Sequence, residues 1–272
     1  MEKKIPRGQT MKLSIFLAGI RTQNWLALYQ SIRNSTSLPK EEYELVIVSP
    51  YDLPLELQNV DNVRLVKDKG CPTRCYQLGL LHSKGEYVVW IADDGMFSPT
   101  LAVDKAFNVL PKRNGIVAFK YHEGENSRNN RIQSSDRHYR LGTIGFIKRM
   151  KSLRRTTDYT LVMIGLMSRE YLMELGGWNC RFEQPGMACV DSSIRWQDCG
   201  ANVVLGEMCL DLTHVRAGVD SWGVDHMPIE DAHFQNDWPL FQKIYKHSSR
   251  GVKIDVNNWQ DSPNVWPRRK FE

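Results

Sequence analysis

The sequence predicts an α/β protein built on a mixed, mostly parallel central sheet flanked by helices. Three observations carry that expectation. Short apolar runs alternate with stretches of helical period through the first half of the chain, the pattern of right-handed strand–helix–strand crossovers. The most apolar run ends directly in two carboxylates and a glycine, as a buried strand does when it opens onto a polar loop. The length of 272 residues, with 42% hydrophobic and 25% charged side chains, is enough for one generous core and disfavours wholesale disorder or a fibrous repeat.

Taken in order, residues 13–18 form a short apolar run closed by Gly19, read as a buried strand. The run is not read as a signal peptide, because no small-residue cleavage site follows and Arg21, Gln23 and Asn24 come next. Asn24 is placed to cap a helix whose apolar face is Trp25, Leu28, Tyr29 and Ile32. Residues 45–48 and 63–66 read as second and third strands, and Thr73 opens a helix that stops at Gly85. Residues 87–91 form the fourth strand and run into Ala92, Asp93, Asp94 and Gly95. Ser98 and Pro99 then read as a helix start, with the helix continuing to about Leu110. A strand at 116–120 precedes about forty polar and basic residues without a clean period, a length that suggests a lid or binding loop. Order returns at 159–167, followed by a helix at 169–175 ending in Gly176 and Gly177, a helix at 192–199 stopped by Gly200, and a strand at 202–205. Asp237, ahead of Pro239, opens a last helix.

The net charge of +5 is unevenly spread. Residues 128–158 form a basic loop in which Arg128, Arg131, Arg137, Arg140, Lys148, Arg149, Lys151, Arg154 and Arg155 face only Asp136 and Asp158, a block that attracts phosphates or an anionic membrane surface if it is not simply a solvated loop. Six cysteines at positions 71, 75, 180, 189, 199 and 209 fit no zinc spacing and read as reduced thiols of a cytoplasmic protein. No apolar run reaches the roughly 18 residues of a spanning helix. Two Asp at a strand's end suit a hard divalent cation, although Asp-Asp-Gly is also ordinary turn chemistry.

The order of segments is more specific than any one of them. The path from GCPTRCYQLGLLHSKGEYVVWIADDG to SREYLMELGGWNCRF, VDSSIRWQDCGANVV and LTHV resembles family 2 glycosyltransferases of the GT-A fold, over about residues 11–215. The matching positions are 83–87, Asp93 and Asp94, 176–179, Asp191 with Arg195, and His214. The sequence departs from the pattern where the first Asp of D-x-D falls on Ala92, where the acidic residue after the second strand falls near Ser49 or Pro50, and where Glu-Asp is replaced by Ala188 and Cys189.

The resemblance implies a nucleotide-sugar-binding and catalytic domain at 11–215 between a tail at 1–10 and a C-terminal extension at 216–272 on the acceptor side. It implies transfer of a sugar from a nucleotide-diphosphate donor to a saccharide, lipid-linked or other hydroxyl acceptor, with inversion. Mn²⁺ or Mg²⁺ would be held by Asp94, with Asp93 and His214, and would offset the charge of the leaving diphosphate. Nucleotide contacts fall to Ala18, Gly19, Arg21, Asp68, Arg74 and Asp93. Asp191 is the candidate general base, with a competing reading as the N-cap of the helix at 192–199. Asp225, His226, Glu230, Asp231 and His233 match no metal spacing and read as surface polarity. Peripheral contact with an anionic membrane is expected, and specific nucleic-acid binding is not. A nucleotidyltransferase, or a phosphate- or nucleic-acid-binding protein without activity, are the alternative readings.

Overall fold

A computed structural model describes residues 11–98, 100–112, 114–123, 132–133, 138–140, 158–212, 227–245 and 253–262. In chain order its strands and helices are β1 (Leu13–Ala18), α1 (Trp25–Ser35), β2 (Tyr43–Ser49), α2 (Leu55–Gln58), β3 (Val63–Lys67), α3 (Pro72–His82), β4 (Tyr87–Ala92), β5 (Gly95–Phe97), α4 (Ala102–Val109), β6 (Gly115–Glu123), β7 (Ile132–Gln133), β8 (His138–Arg140), β9 (Asp158–Thr160), β10 (Gly165–Ser168), α5 (Arg169–Glu174), α6 (Pro185–Asp198), β11 (Asn202–Leu212), α7 (Met227–Ala232) and α8 (Trp238–Tyr245).

The main sheet runs β3-β2-β1-β4-β10-β6-β11-β5, with β7 on the side of β6, while β8 and β9 pair separately. The β3-β2-β1-β4 half is wholly parallel; β1, β2 and β4 are largely apolar and buried on both faces, while the edge strand β3, with Arg64 and Lys67, is half-buried. Beyond β4 the sheet turns mixed, because β10 lies antiparallel to both β4 and β6. In register, Ala18 stands opposite Val48 on one side and Ala92 on the other, so the parallel strands end level with one another. Their common carboxyl edge is where an open α/β sheet leaves its ligand crevice.

Two apolar layers cover the sheet. One gathers Trp25, Leu28 and Ile32 of α1 with Val103 and Ala106 of α4. The other packs Phe16, Tyr76, Trp90, Trp178 and Trp196 in edge-to-face contacts, with the Trp90, Trp178 and Trp196 rings 5.1–5.7 Å apart. Such pairs add to plain area burial, and these rings seat α3 and α6 on the same face.

Several expected boundaries change for physical reasons. Asn24 occupies the N-cap position of α1 but its side chain makes no capping bond; it ends a 3-10 turn at Thr22–Asn24 and its amide donates to the Asp93 carbonyl at 3.3 Å. Cys71, not Thr73, precedes α3, its sulfur accepting from the Arg74 N–H. Residues 95–97 form an edge strand paired antiparallel with Leu210–Leu212, so α4 starts later than Ser98, after Leu101 at φ +60°. α6 begins seven residues before the expected start, with Pro185 in its first turn and Gln184 as N-cap. Asp191 is therefore mid-helix, and the N-cap reading of it is incorrect. Asp237 lies in a π-helical stretch, His233–Asp237, between α7 and α8. Its carboxylate serves a different helix, accepting from the backbone N–H of Glu183 at 2.9 Å and of Gln184 at 2.7 Å beside the start of α6.

Cys71, Cys75, Cys180, Cys189 and Cys199 are free thiols. No described helix is long and apolar enough to cross a membrane. His214, Asp225 and His226 lie outside the described residues, as does the basic loop 128–158 apart from β7, β8 and Asp158. Glu230 and Asp231 are exposed on α7.

Candidate functional site

Asp93 is set by the end of β4 and reaches across to the loop that leaves β1. One carboxylate oxygen accepts from the backbone N–H of Ile20 at 2.6 Å and of Arg21 at 2.7 Å; the other pairs with the Arg21 guanidinium at 2.5 Å. All this is buried, Arg21 at 6% and Asp93 at 2% exposure. Burial pushes the Asp93 carboxyl up, the Arg21 charge draws it down, and the neighbouring Asp94 raises it again. Three of about four lone-pair positions of the carboxylate are thus committed to the chain itself. Asp93 holds the loop at 19–24 against the strand end.

Asp94 follows at 5% exposure. Ala18 stands opposite Ala92 at the ends of the parallel strands, and the Gly19 N–H donates to the Val48 carbonyl at 2.9 Å. Mn²⁺ or Mg²⁺ takes oxygen ligands and commonly only one or two carboxylates, so Asp94 is the member of the pair whose chemistry fits such an ion, Asp93 being committed to Arg21 and the β1 loop. Among the described residues no group of three His, Cys, Asp or Glu side chains is arranged to hold a metal ion.

A second unit borders the same edge. Asp68, just beyond β3, accepts from Arg74 Nε at 3.0 and 3.1 Å and from its Nη2 at 2.8 Å. Arg74 donates further to the Trp259 carbonyl at 2.8 Å and lies over the Trp259 ring, 4.8 Å from its centre. The predicted Asp68 and Arg74 therefore meet, and they recruit Trp259 from the C-terminal part of the chain. Nearby Cys71 is pushed up by burial to about 11, so at neutral pH it is a thiol without nucleophilic charge. Ser49, where an acidic residue would be expected, is buried, and its hydroxyl accepts from the Tyr51 N–H at 3.0 Å.

The later motif residues assemble into a scaffold. Asp191, 1% exposed, gives one oxygen to Arg195 Nε at 2.8 Å and the other to the Tyr245 hydroxyl at 2.8 Å. Arg195 continues to the carbonyls of Leu175 at 3.0 Å and Gly177 at 2.7 Å. Gln77 holds the same turn from α3, accepting from the Trp178 N–H at 2.9 Å and donating to the Gly176 carbonyl at 3.2 Å. Gly176 and Gly177 sit at φ +80° and +65°, and a Cβ on Gly177 would collide with the Gln77 amide. Tyr245 and Gln77 had no signal in the sequence, since each acts only through partners remote along the chain.

No protein-family model matches the chain, and no curated protein matches it in sequence. Among solved structures it is similar to S. aureus TarS 1-349, at 15% identity and a TM-score of 0.51 over 75% of this chain and 60% of that one. The same figures hold for TarS 1-349 in complex with UDP. For TarS 1-349 in complex with UDP-GlcNAc the likeness covers 84% of this chain and 68% of that one, at 15% identity and a TM-score of 0.50. In the first of these alignments the chain spans about 60% of the length of TarS 1-349. The likeness is one of architecture: the mixed, mostly parallel sheet with helices on both faces is that of a GT-A fold with a C-terminal extension.

Proposed function

We propose that the chain is a glycosyltransferase that takes a sugar from a uridine-diphosphate donor and passes it to a hydroxyl acceptor, saccharide or lipid-linked, with inversion. One observation carries the reading: consecutive buried carboxylates at the end of β4, one locked to Arg21 and the β1 loop, stand at the carboxyl edge of a GT-A sheet. The UDP and UDP-GlcNAc complexes of TarS support the choice of donor.

Asp94, with His214, is the proposed holder of Mn²⁺ or Mg²⁺, whose charge, when the ion is bound, offsets the negative charge developing on the departing diphosphate. Asp93 acts through Arg21 and the backbone N–H groups of residues 20 and 21, keeping the donor loop in place before substrate arrives. That is preorganisation rather than chemistry. The acceptor hydroxyl must lose a proton, and Asp191 is the carboxylate that the motif order nominates. Its bonds to Arg195 and Tyr245 give it a structural duty as well, so the two roles need separate readouts.

UDP release from UDP-GlcNAc with a panel of hydroxyl acceptors tests the reaction, with Asp191→Asn compared per folded molecule. The proposal expects acceptor-stimulated UDP release and a variant at least a hundredfold slower, in line with the usual worth of general base catalysis. Full turnover by correctly folded Asp191→Asn removes the base role. Pyrophosphate release from a nucleoside triphosphate would instead identify a nucleotidyltransferase.

A further inference from the structure

Residues 253–262 cross the molecule as a strap far from the rest of the candidate site in sequence. The Val256 carbonyl accepts from Gln77 at 2.6 Å. Asn258 accepts from the Cys180 N–H at 2.6 Å and donates to the Trp178 carbonyl at 3.0 Å. The Ile254 carbonyl closes on Gly176, where any side chain would clash. The strap is thereby fixed on the 176–180 turn and on α3, the two rigid pieces behind the crevice.

What this anchorage positions is Trp259. Its half-buried indole packs against the cluster of Val48, near the carboxyl end of β2, with Cys75 and Leu78 of α3, a cluster that Ala18 of β1 and Val66 of β3 also border. Arg74 covers the ring, and the bidentate bond to Asp68 fixes the plane of its guanidinium. Three of the five guanidinium N–H groups are committed to Asp68 and the Trp259 carbonyl, so two have no partner among the described residues. A flat cationic surface backed by an aromatic ring, with spare donors along one edge, suits a planar heterocycle bearing carbonyl oxygens. It stands at the strand ends where a ligand of this sheet lies.

We propose that Trp259, with Arg74 stacked on its ring, is the side wall of the nucleobase slot and a determinant of which base the protein accepts. The inference rests on the nucleotide-sugar reading given above and adds the residue that selects the base. Trp259 is a positioning residue: it holds the Arg74 plane in place and excludes water from one side of the slot.

Calorimetric titration of the full chain with UDP, GDP and inorganic pyrophosphate, each with Mn²⁺, tests this on wild type, Trp259→Leu and Trp259→Phe. Leucine keeps apolar bulk against Val48 and Leu78 but removes the ring, while phenylalanine restores an aromatic face. Trp259→Leu is expected to weaken UDP binding about tenfold, because the Arg74 guanidinium loses the ring that holds its plane. It should also narrow the UDP-to-GDP preference and leave pyrophosphate affinity unchanged, with Trp259→Phe returning most of the loss. Equal weakening of UDP and pyrophosphate, or no weakening of UDP, overturns the wall and leaves the parent reading standing. Wild-type protein that binds pyrophosphate but no nucleoside diphosphate overturns both.

Discussion

Asp93 and Asp94 are adjacent, similarly buried and bound for different fates. Asp93 spends its charge on Arg21 and two backbone N–H groups, so removing it takes the paired carboxylate from a buried guanidinium. Asp93→Ala is expected to cost about 3 kcal/mol or more in urea denaturation, the usual penalty for leaving one partner of a buried pair alone. The same physics separates Asp191 from its expected N-cap role, because a cap loss costs only about 1 kcal/mol. Asp191→Ala abandons Arg195 inside the protein, and we expect it to destabilise by about 3 kcal/mol or more. The acidic pair was legible as polar residues following an apolar strand, and Arg21, Asp68 and Arg74 through the resemblance alone. Trp259, Gln77 and Tyr245 were not, because their partners are up to 179 and 185 residues away and no local period reveals them.

At the scale of elements, the Gly-Gly turn joins α5 to the segment leading into α6 and is held from both sides, by Arg195 and by Gln77. Gly177→Ala meets both a positive φ and the Gln77 amide, and a loss of about 2 kcal/mol or more in thermal or urea unfolding is expected. The start of α6 depends on a carboxylate from another element, Asp237. Burial pushes the Asp237 carboxyl above its ordinary value of 3.8, against the pull of the Glu183, Gln184 and Asn236 donors. The folded state then keeps this proton to higher pH than the unfolded chain. Stability from this group is accordingly greatest at acid pH and declines as pH rises from the unfolded value through the folded one. Relative to Asp237→Asn, wild type should gain stability as pH is lowered from 7 toward 4 in denaturation series; a difference that grows in the opposite direction would refute the assignment. Strands β1, β2 and β4 were readable because burial on both faces leaves largely apolar runs, and the half-buried edge strand β3 by its alternation of Val63 and Leu65 with Arg64. α6 was misread because Pro185 and Gly186 look like a loop, whereas Pro fits a helix's first turn and Gln184 supplies the cap.

Across the whole molecule, the parallel half of the sheet brings the ends of β1, β2, β3 and β4 to one edge, and the C-terminal strap closes over that edge from outside the sheet. The alternation of strand and helix patterns foretold the first feature. The second depends on a segment whose one regular element among the described residues is the short 3-10 turn at Asn258–Asp261, and on contacts remote in the chain, as do the antiparallel insertions of β5 and β10. Such long-range pairings leave no periodic trace in sequence.

The central claim is that Asp94 holds a cation that in turn holds a nucleotide diphosphate. Calorimetric titration of UDP into wild type and Asp94→Asn, with and without Mn²⁺, measures it most directly. Affinity that requires Mn²⁺ in wild type and falls at least tenfold in a folded Asp94→Asn is the predicted result. UDP affinity indifferent to both the metal and the carboxylate would contradict it.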